Sequence, residues 1–164
     1  MKKYKICVIG LGYVGLPLAN SLSKSHDVIG YDINNKRVDE LLNFYDRTGE
    51  LSSEVLRGTS LELTSDSKNL KSAEVYIITV PTPINKEKKP DLRAVFEASK
   101  LVGSKITKGS IVVFESTVYP GVTEEECGPI LESTSGLECG KDFWLGYSPE
   151  RINPGDSVHS LSEI

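Results

Sequence analysis

Short apolar runs alternate with amphipathic segments along the chain, and this alternation predicts strands separated by helices. Six runs have the apolar character of strands that are buried on both faces. They are Lys5–Ile9, Val28–Tyr31, Leu61–Thr64, Val75–Val80, Ile111–Phe114 and Phe143–Tyr147. Helices that connect such strands cross over with a right hand and cover both faces of a parallel sheet. The pattern therefore predicts an α/β fold with a doubly wound, mainly parallel sheet of about six strands.

The segments between these runs carry apolar residues at helical spacing. The predicted helices span residues 92–106 with Asp91 as N-cap, a shorter stretch after Asn34 and Asn35, and residues 122–131. The polar stretch from Phe44 to Gly58 lacks this spacing. We expect it to be a mobile excursion of the chain that contains one short helix at Glu54–Arg57.

A glycine-rich turn follows the first predicted strand and precedes the first predicted helix. It has the pattern G-x-G-x-x-G and consists of Gly10, Leu11, Gly12, Tyr13, Val14 and Gly15. In dinucleotide-binding proteins the first glycine permits a tight turn, the second lets a pyrophosphate approach the backbone, and the third lets helix and strand pack closely. The free N–H groups of the helix then bind the phosphates. The turn predicts a Rossmann-like fold that binds a dinucleotide.

An acidic residue stands where this pattern requires one. Asp32 ends the second predicted strand about twenty residues after the first glycine, where a carboxylate accepts hydrogen bonds from ribose hydroxyls. Because a carboxylate would repel a 2′-phosphate, we expect NAD rather than NADP as the cofactor. Arg37, or its neighbour Lys36, is a further candidate contact to the ribose or pyrophosphate. The alternative is a βαβ unit whose glycines only close a turn and whose Asp32 is solvated.

The size of the chain indicates a single domain, and its charge argues against nucleic-acid binding. The chain has 164 residues, which is the length of about one domain. It carries 19 lysines and arginines against 23 acidic residues, a net charge of −4, and no basic stretch longer than residues 86–89. Sequence-independent nucleic-acid binding depends on neutralising phosphates, so we do not expect a nucleic-acid partner.

The cysteines and the N-terminus indicate a cytoplasmic protein. Cys7, Cys127 and Cys139 are odd in number and widely spaced, and they form no C-x-x-C pair. We therefore expect neither a disulfide framework nor a metal site, and a reducing compartment fits best. The apolar residues 6–19 follow three lysines as in a signal peptide, but glycines and Pro17 interrupt them. The segment is also too short to cross a membrane, so we expect no membrane partner.

Four motifs, taken together, resemble one enzyme family. They are Ile9–Leu18, Val80–Pro83, Glu115–Gly121 and Ser148–Gly155. The set resembles the nucleotide-sugar 6-dehydrogenases of the UDP-glucose/GDP-mannose dehydrogenase family, and the match covers nearly the whole chain. The last motif departs from that of the UDP-glucose enzymes, because Pro154 replaces a second glutamate. It is similar to the branch that oxidises UDP-N-acetylhexosamines, with glucosamine or galactosamine as the sugar.

The resemblance implies a reaction that this chain cannot complete alone. Family members use two NAD to oxidise a sugar C6 alcohol to a carboxylate, through a thiohemiacetal and a thioester on a cysteine, and so supply uronic acids for surface polysaccharide. That cysteine and a family lysine match no position here. Residues 1–164 are thus expected to be the N-terminal NAD-binding domain of a longer enzyme, in which residues 148–164 begin the substrate-site segment. At full length we expect a homo-oligomer that binds a UDP-N-acetylhexosamine.

The resemblance also implies roles for individual residues. It assigns cofactor contacts to Val80, Thr82, Ser116 and Thr117, a water-positioning role to Thr117, an acid/base role to Glu150, and substrate contacts to Glu150, Arg151, Ile152 and Asn153. The local sequence alone also allows purely structural explanations for these residues. The two prolines after Val80 could simply stiffen a turn, and Ser116 with Thr117 could cap the helix that follows Gly121.

Two further functions remain open at this point. One is another NAD-dependent dehydrogenase of two domains that acts on UDP-glucose, GDP-mannose, a hydroxyacid or 6-phosphogluconate. The other is a non-catalytic module that binds NAD.

Overall fold

The chain folds around one parallel sheet of six strands. The computed structural model describes residues 2–70, 72–84 and 88–149. The strands are β1 Lys5–Ile9, β2 Asp27–Tyr31, β3 Glu62–Thr64, β4 Val75–Ile78, β5 Ile111–Phe114 and β6 Trp144–Tyr147. Their order across the sheet is β3-β2-β1-β4-β5-β6, and every pairing between these strands is parallel. The predicted doubly wound α/β fold is confirmed.

The helices follow the predicted order along the chain. They are α1 Gly15–Ser23, α2 Asn35–Leu42, α3 Ser53–Gly58, α4 Arg93–Gly103 and α5 Gly128–Ser135. A 3₁₀ turn covers Ser67–Asn69 and a π-helix covers Val122–Cys127. Asn34 caps α2 by accepting the Arg37 N–H with its side chain. No helix in the described part of the chain is long and apolar enough to cross a membrane.

Two cores hold the helices to opposite faces of the sheet. On one face Tyr76 and Phe114 pack with Val95 of α4 and Leu131 of α5. On the other face Val8, Leu16 of α1 and Leu41 of α2 belong to a second cluster. Each of these side chains is almost completely buried, and burying one contributes roughly 1.5–3 kcal/mol. The layers therefore fix the strand ends, and with them the loops that follow each strand.

Two elements, β4 and α4, have boundaries that differ from the predictions. The apolar run predicts a strand to Val80, but β4 ends at Ile78, because its pairing partner β1 ends at Ile9. Asp91 lies one residue too early to be the N-cap of α4, although its Oδ1 accepts the Arg93 N–H at 3.1 Å. The helix then stops at Gly103 rather than continuing to Ile106.

The helix predicted over residues 122–131 is divided in two. Its first half is the π-helix, and α5 begins only at Gly128. Pro129 stands at the start of α5 and has no N–H to donate to the preceding turn. One continuous α-helical hydrogen-bond ladder therefore cannot run through this segment.

The segment between α2 and α3 is ordered around one carboxylate, which corrects the expectation of a mobile excursion. The Asp46 side chain is 0% exposed. It accepts the N–H groups of Thr48, Glu50 and Leu51 at 2.9–3.0 Å. The short helix predicted at Glu54–Arg57 is present as α3.

Candidate functional site

A cleft of about 1120 Å³ opens at the carboxyl ends of the strands. Its walls come from the turn after β1, the end of β2, the loops after β4 and β5, and one side of α4. The chain order reverses between β1 and β4, which are neighbours in the sheet. In open parallel sheets this switch point is where ligands bind. The cleft is therefore the candidate site.

The glycine turn is tightly packed beneath the cleft. Gly10 has φ 97°, a conformation that favours glycine, and its N–H donates to the Tyr31 carbonyl at 2.8 Å. The Thr79 hydroxyl lies 2.8 Å from the Gly10 carbonyl, to which it donates. A Cβ on Gly15 would lie 2.0 Å from that same carbonyl oxygen, whereas a Cβ on Gly12 would meet no atom within 4 Å. The turn is thus closed below and open above, where a ligand could approach the backbone.

The start of α1 faces this open side. Gly12, Tyr13 and Val14 line the cleft. Val14 is the N-cap of α1 and provides no side-chain hydrogen bond to the first turn. The first N–H groups of a helix have no partner inside the helix, and the helix dipole makes that end positive. An anion such as a pyrophosphate suits this position.

Asp32 stands on the cleft wall with its carboxylate held at both oxygens. Oδ2 accepts the Leu11 N–H and Oδ1 accepts the Asn34 N–H, each at 2.9 Å. A carboxylate has about four acceptor positions, so two remain for a ligand. Ile33 follows it on the same wall with 81% of its surface exposed. The wall thus combines a fixed negative charge with an apolar side chain, which suits a ribose and a flat base.

Hydrogen bonds join the loops after β4 and β5. The Ser116 hydroxyl donates to the Val80 carbonyl at 2.6 Å, and the Thr82 hydroxyl donates to the Thr117 carbonyl at 2.8 Å. All four residues lie on the cleft wall. The helix after Gly121 has no side-chain cap, so the alternative role of Ser116 and Thr117 as capping residues is wrong.

Three residues predicted to contact the cofactor do not line the cleft. Leu11 and Gly15 are buried beneath the turn. Arg37 is also buried, with 4% of its surface exposed. Its Nε donates to the Leu11 carbonyl at 2.8 Å, and its Nη1 forms an ion pair with Asp46 at 2.8 Å. The Arg37 guanidinium thus supports the turn from behind, and its expected contact with the cofactor stays a prediction.

Several residues of the wall were not predicted from the sequence. Thr79 lies within an apolar run that predicts a strand. Its polar side chain at the end of that strand could have indicated a place on the cleft wall. Ser67 belongs to a short polar stretch without a motif. The wall-lining side of α4, with Arg93 and Glu97 among its residues, is typical of a solvated helix face and carries no signal for a ligand.

Of the predicted catalytic and substrate-binding residues, the structure describes only Thr117. Thr117 is exposed on the cleft wall. Glu150, Arg151, Ile152 and Asn153 lie outside the described residues.

None of the three cysteines has the environment of an activated nucleophile. Burial raises the pKa of the Cys7 thiol to about 12. Burial also raises the pKa values of Cys127 and Cys139 above their ordinary value. Since the thiolate is the reactive form, all three are poor nucleophiles at neutral pH. Within the described part of the chain, no group of three metal-ligating side chains comes together.

Thiol labelling tests this assignment. At pH 8 a chromogenic disulfide reagent should leave Cys7 and Cys127 unmodified in the folded chain and react slowly with the half-buried Cys139. In denaturant all three should react at once. Rapid stoichiometric labelling of Cys7 in the folded chain would contradict the burial described here.

Comparison with protein families identifies one match that covers the chain. The model described as the UDP-glucose/GDP-mannose dehydrogenase family, NAD binding domain, matches residues 4–164. Among solved structures, the UDP-D-ManNAc dehydrogenase from Pyrococcus horikoshii superposes with a TM-score of 0.84 at 36% sequence identity, covering 92% of this chain and 37% of that structure.

Two curated relatives are more similar in sequence. Protein CapL of Staphylococcus aureus is 58% identical over 97% of this chain, and the UDP-N-acetyl-D-glucosamine 6-dehydrogenase of Salmonella typhi is 55% identical over 98%. The chain spans 38% of the length of each of these relatives.

Proposed function

Since the chain belongs to the UDP-glucose/GDP-mannose dehydrogenase family as its NAD-binding domain, we propose that it serves a UDP-N-acetylhexosamine 6-dehydrogenase. The enzyme would oxidise the sugar C6 alcohol to a uronate in two NAD-dependent steps, for polysaccharide biosynthesis. The observation that carries this proposal is the 55% identity, over nearly the whole chain, to a protein named for UDP-N-acetyl-D-glucosamine. Residues 1–164 then form the N-terminal domain of a longer enzyme, in which residues 148–164 begin the substrate site.

The cleft fits the cofactor that the family binds. The open side of Gly12 gives the pyrophosphate access to the backbone at the start of α1. Asp32 has free acceptor positions for the ribose hydroxyls, and Ile33 offers an apolar surface to the base. NAD, when bound, supplies the acceptor for a hydride. The chain's own residues bind and orient it.

We assign the remaining roles by their place on the wall and by family resemblance. Val80, Thr82 and Ser116 line the part of the cleft that continues from the turn, so they would contact the cofactor beyond the pyrophosphate. Thr117 would position the attacking water. Glu150 would act as acid and base in hydrolysis of the thioester, and Arg151, Ile152 and Asn153 would contact the sugar nucleotide.

Three features of the whole enzyme complete the proposal. The nucleophilic cysteine would come from outside this chain, since burial raises the pKa of each thiol in it. The enzyme would act in the cytoplasm, where the three free thiols stay reduced. It would be a homo-oligomer at full length.

A substrate panel tests the proposal on the protein at its full natural length. UDP-N-acetylglucosamine, UDP-N-acetylgalactosamine, UDP-N-acetylmannosamine, UDP-glucose and GDP-mannose are each supplied with NAD, and NADH is followed by absorbance. We expect two NADH per sugar with a UDP-N-acetylhexosamine of the gluco or galacto series. One NADH per substrate would contradict a two-step oxidation, and a preference for UDP-glucose or GDP-mannose would move the enzyme to another branch. Binding of NAD without turnover of any sugar would favour the non-catalytic module.

A further inference from the structure

A buried ion pair lies directly behind the glycine turn. Arg37 on α2 and Asp46 in the following segment are both almost completely shielded, with side chains 5% and 0% exposed. Their Nη1 and Oδ1 atoms are 2.8 Å apart. A buried pair of charges costs desolvation energy, so its presence calls for a compensating arrangement of partners. One partner of this ion pair is the backbone of the glycine turn.

The guanidinium holds one carbonyl of the turn. Arg37 Nε donates to the Leu11 carbonyl at 2.8 Å. The peptide unit that contains this carbonyl also contains the Gly12 N–H, and in a trans peptide the two groups point in opposite directions. Fixing the carbonyl towards Arg37 therefore fixes the Gly12 N–H away from it. Gly12 lies on the cleft wall with open space on its exposed side.

The other side of Leu11 is fixed as well. Its own N–H donates to Asp32 Oδ2, and the preceding carbonyl, of Gly10, accepts the Thr79 hydroxyl. Both peptide units that flank Leu11 are thus fixed by hydrogen bonds. Of these hydrogen bonds, the one from Arg37 to the Leu11 carbonyl orients the peptide unit that contains the Gly12 N–H.

Asp46 keeps the guanidinium in this position. The carboxylate also accepts the Thr48 hydroxyl and three backbone N–H groups of its own segment. Burial would raise its pKa, but the hydrogen bonds from Thr48 and Leu51, together with the adjacent Arg37 guanidinium, outweigh burial and lower it. Asp46 therefore stays ionised at neutral pH. Without its charge, Arg37 would be a buried cation with no counterion, which is unstable and favours movement towards water.

We infer that Asp46 is a positioning residue for cofactor binding: through Arg37 it orients the Leu11–Gly12 peptide so that the Gly12 N–H can bind the NAD pyrophosphate. Asp46 touches no wall of the cleft and acts only through the guanidinium. The inference concerns the cofactor half of the site and does not depend on which sugar is oxidised.

The test uses Asp46→Asn in the protein at its full natural length. Asparagine keeps the size of the side chain and removes its charge. Calorimetric titration should show NAD and ADP-ribose binding about tenfold more weakly, while competition shows that adenosine, which lacks the pyrophosphate, binds as in the wild type. In turnover, the KM for NAD should rise with little change in kcat.

A matched control comes from the same two segments. Glu40 on α2 pairs with Arg47 next to Asp46, and neither residue lines the cleft. Glu40→Gln removes an ion pair between the same helix and the same loop, and it should leave the affinity for NAD unchanged. Equal weakening by both variants would mean that general loosening of the loop is responsible, and would overturn the inference.

A second variant covers the case in which Asp46→Asn does not fold. Arg37→Lys keeps a positive charge beside Asp46 but loses the fork that reaches both Asp46 and the Leu11 carbonyl. It should also bind NAD about tenfold more weakly and leave adenosine unaffected. Wild-type affinity for NAD in either folded variant, or a matching loss for adenosine, overturns the inference.

Discussion

Gly15→Ala is expected to destabilise the domain by roughly 3 kcal/mol or more and to abolish NAD binding with it. The added methyl would lie 2.0 Å from the Gly10 carbonyl oxygen and 2.3 Å from the Thr79 hydroxyl. The first of these neighbours is backbone, so it cannot rotate out of the way. Helix α1 must instead separate from the turn, and the N–H groups proposed to bind phosphate move with it. Urea unfolding and calorimetric titration with NAD measure the two effects.

Gly12→Ala provides the matched comparison within the same turn. A Cβ at this position would meet no protein atom within 4 Å, so the free energy of unfolding should change by less than about 0.5 kcal/mol. The methyl would instead occupy the space proposed for the pyrophosphate. We expect at least a tenfold loss of NAD affinity, which is about 1.4 kcal/mol. Wild-type stability in Gly15→Ala would contradict the close packing of α1 against the turn, and wild-type affinity in Gly12→Ala would contradict phosphate binding at the turn.

Asp32→Ala is expected to remove the preference for NAD over NADP. In the wild type the carboxylate is held by the Leu11 and Asn34 N–H groups and cannot swing away from a 2′-phosphate. Two like charges about 4 Å apart at an effective dielectric constant of 20 repel by about 4 kcal/mol. The variant would lose the proposed ribose contacts, so the Kd for NAD should rise roughly 10- to 100-fold, or about 1.4–2.7 kcal/mol. NADP, relieved of repulsion, should bind as well as NAD.

Asp39→Ala serves as the control for net charge. Asp39 is an exposed carboxylate on α2 that lies outside the cleft wall. Its removal changes the charge of the domain by the same amount and should leave both affinities unchanged. Titration of each variant with NAD and NADP at two salt concentrations separates local repulsion from the field of the whole domain. Wild-type protein that binds NADP as tightly as NAD would refute the role given to Asp32.

The sequence predicted the elements that depend on local pattern. The six apolar runs became six parallel strands because strands buried on both faces must be apolar throughout. The glycine turn and Asp32 met at one end of the sheet because strand ends in a parallel sheet share an edge. These features rest on periodicity and on fixed spacing, which one sequence displays.

The errors concern side chains whose partners lie far along the chain. Nothing in the sequence shows that the Arg37 guanidinium meets Leu11, 26 residues earlier, and Asp46. The same missing contact made the segment after α2 look mobile. The wall contributed by α4 was missed because a polar helix face has the same pattern whether water or a ligand covers it.

The Thr79–Gly10 hydrogen bond joins positions 69 residues apart. Strand β1 pairs with both β2 and β4, and β4 is synthesised much later than β1. Pairings of such long range are slow to form, since the loop between them must close first. During translation, the glycine turn therefore emerges long before β4 and Thr79, which donates a hydrogen bond to it. Competence to bind a dinucleotide should thus appear late in synthesis, only after residue 79 has left the ribosome.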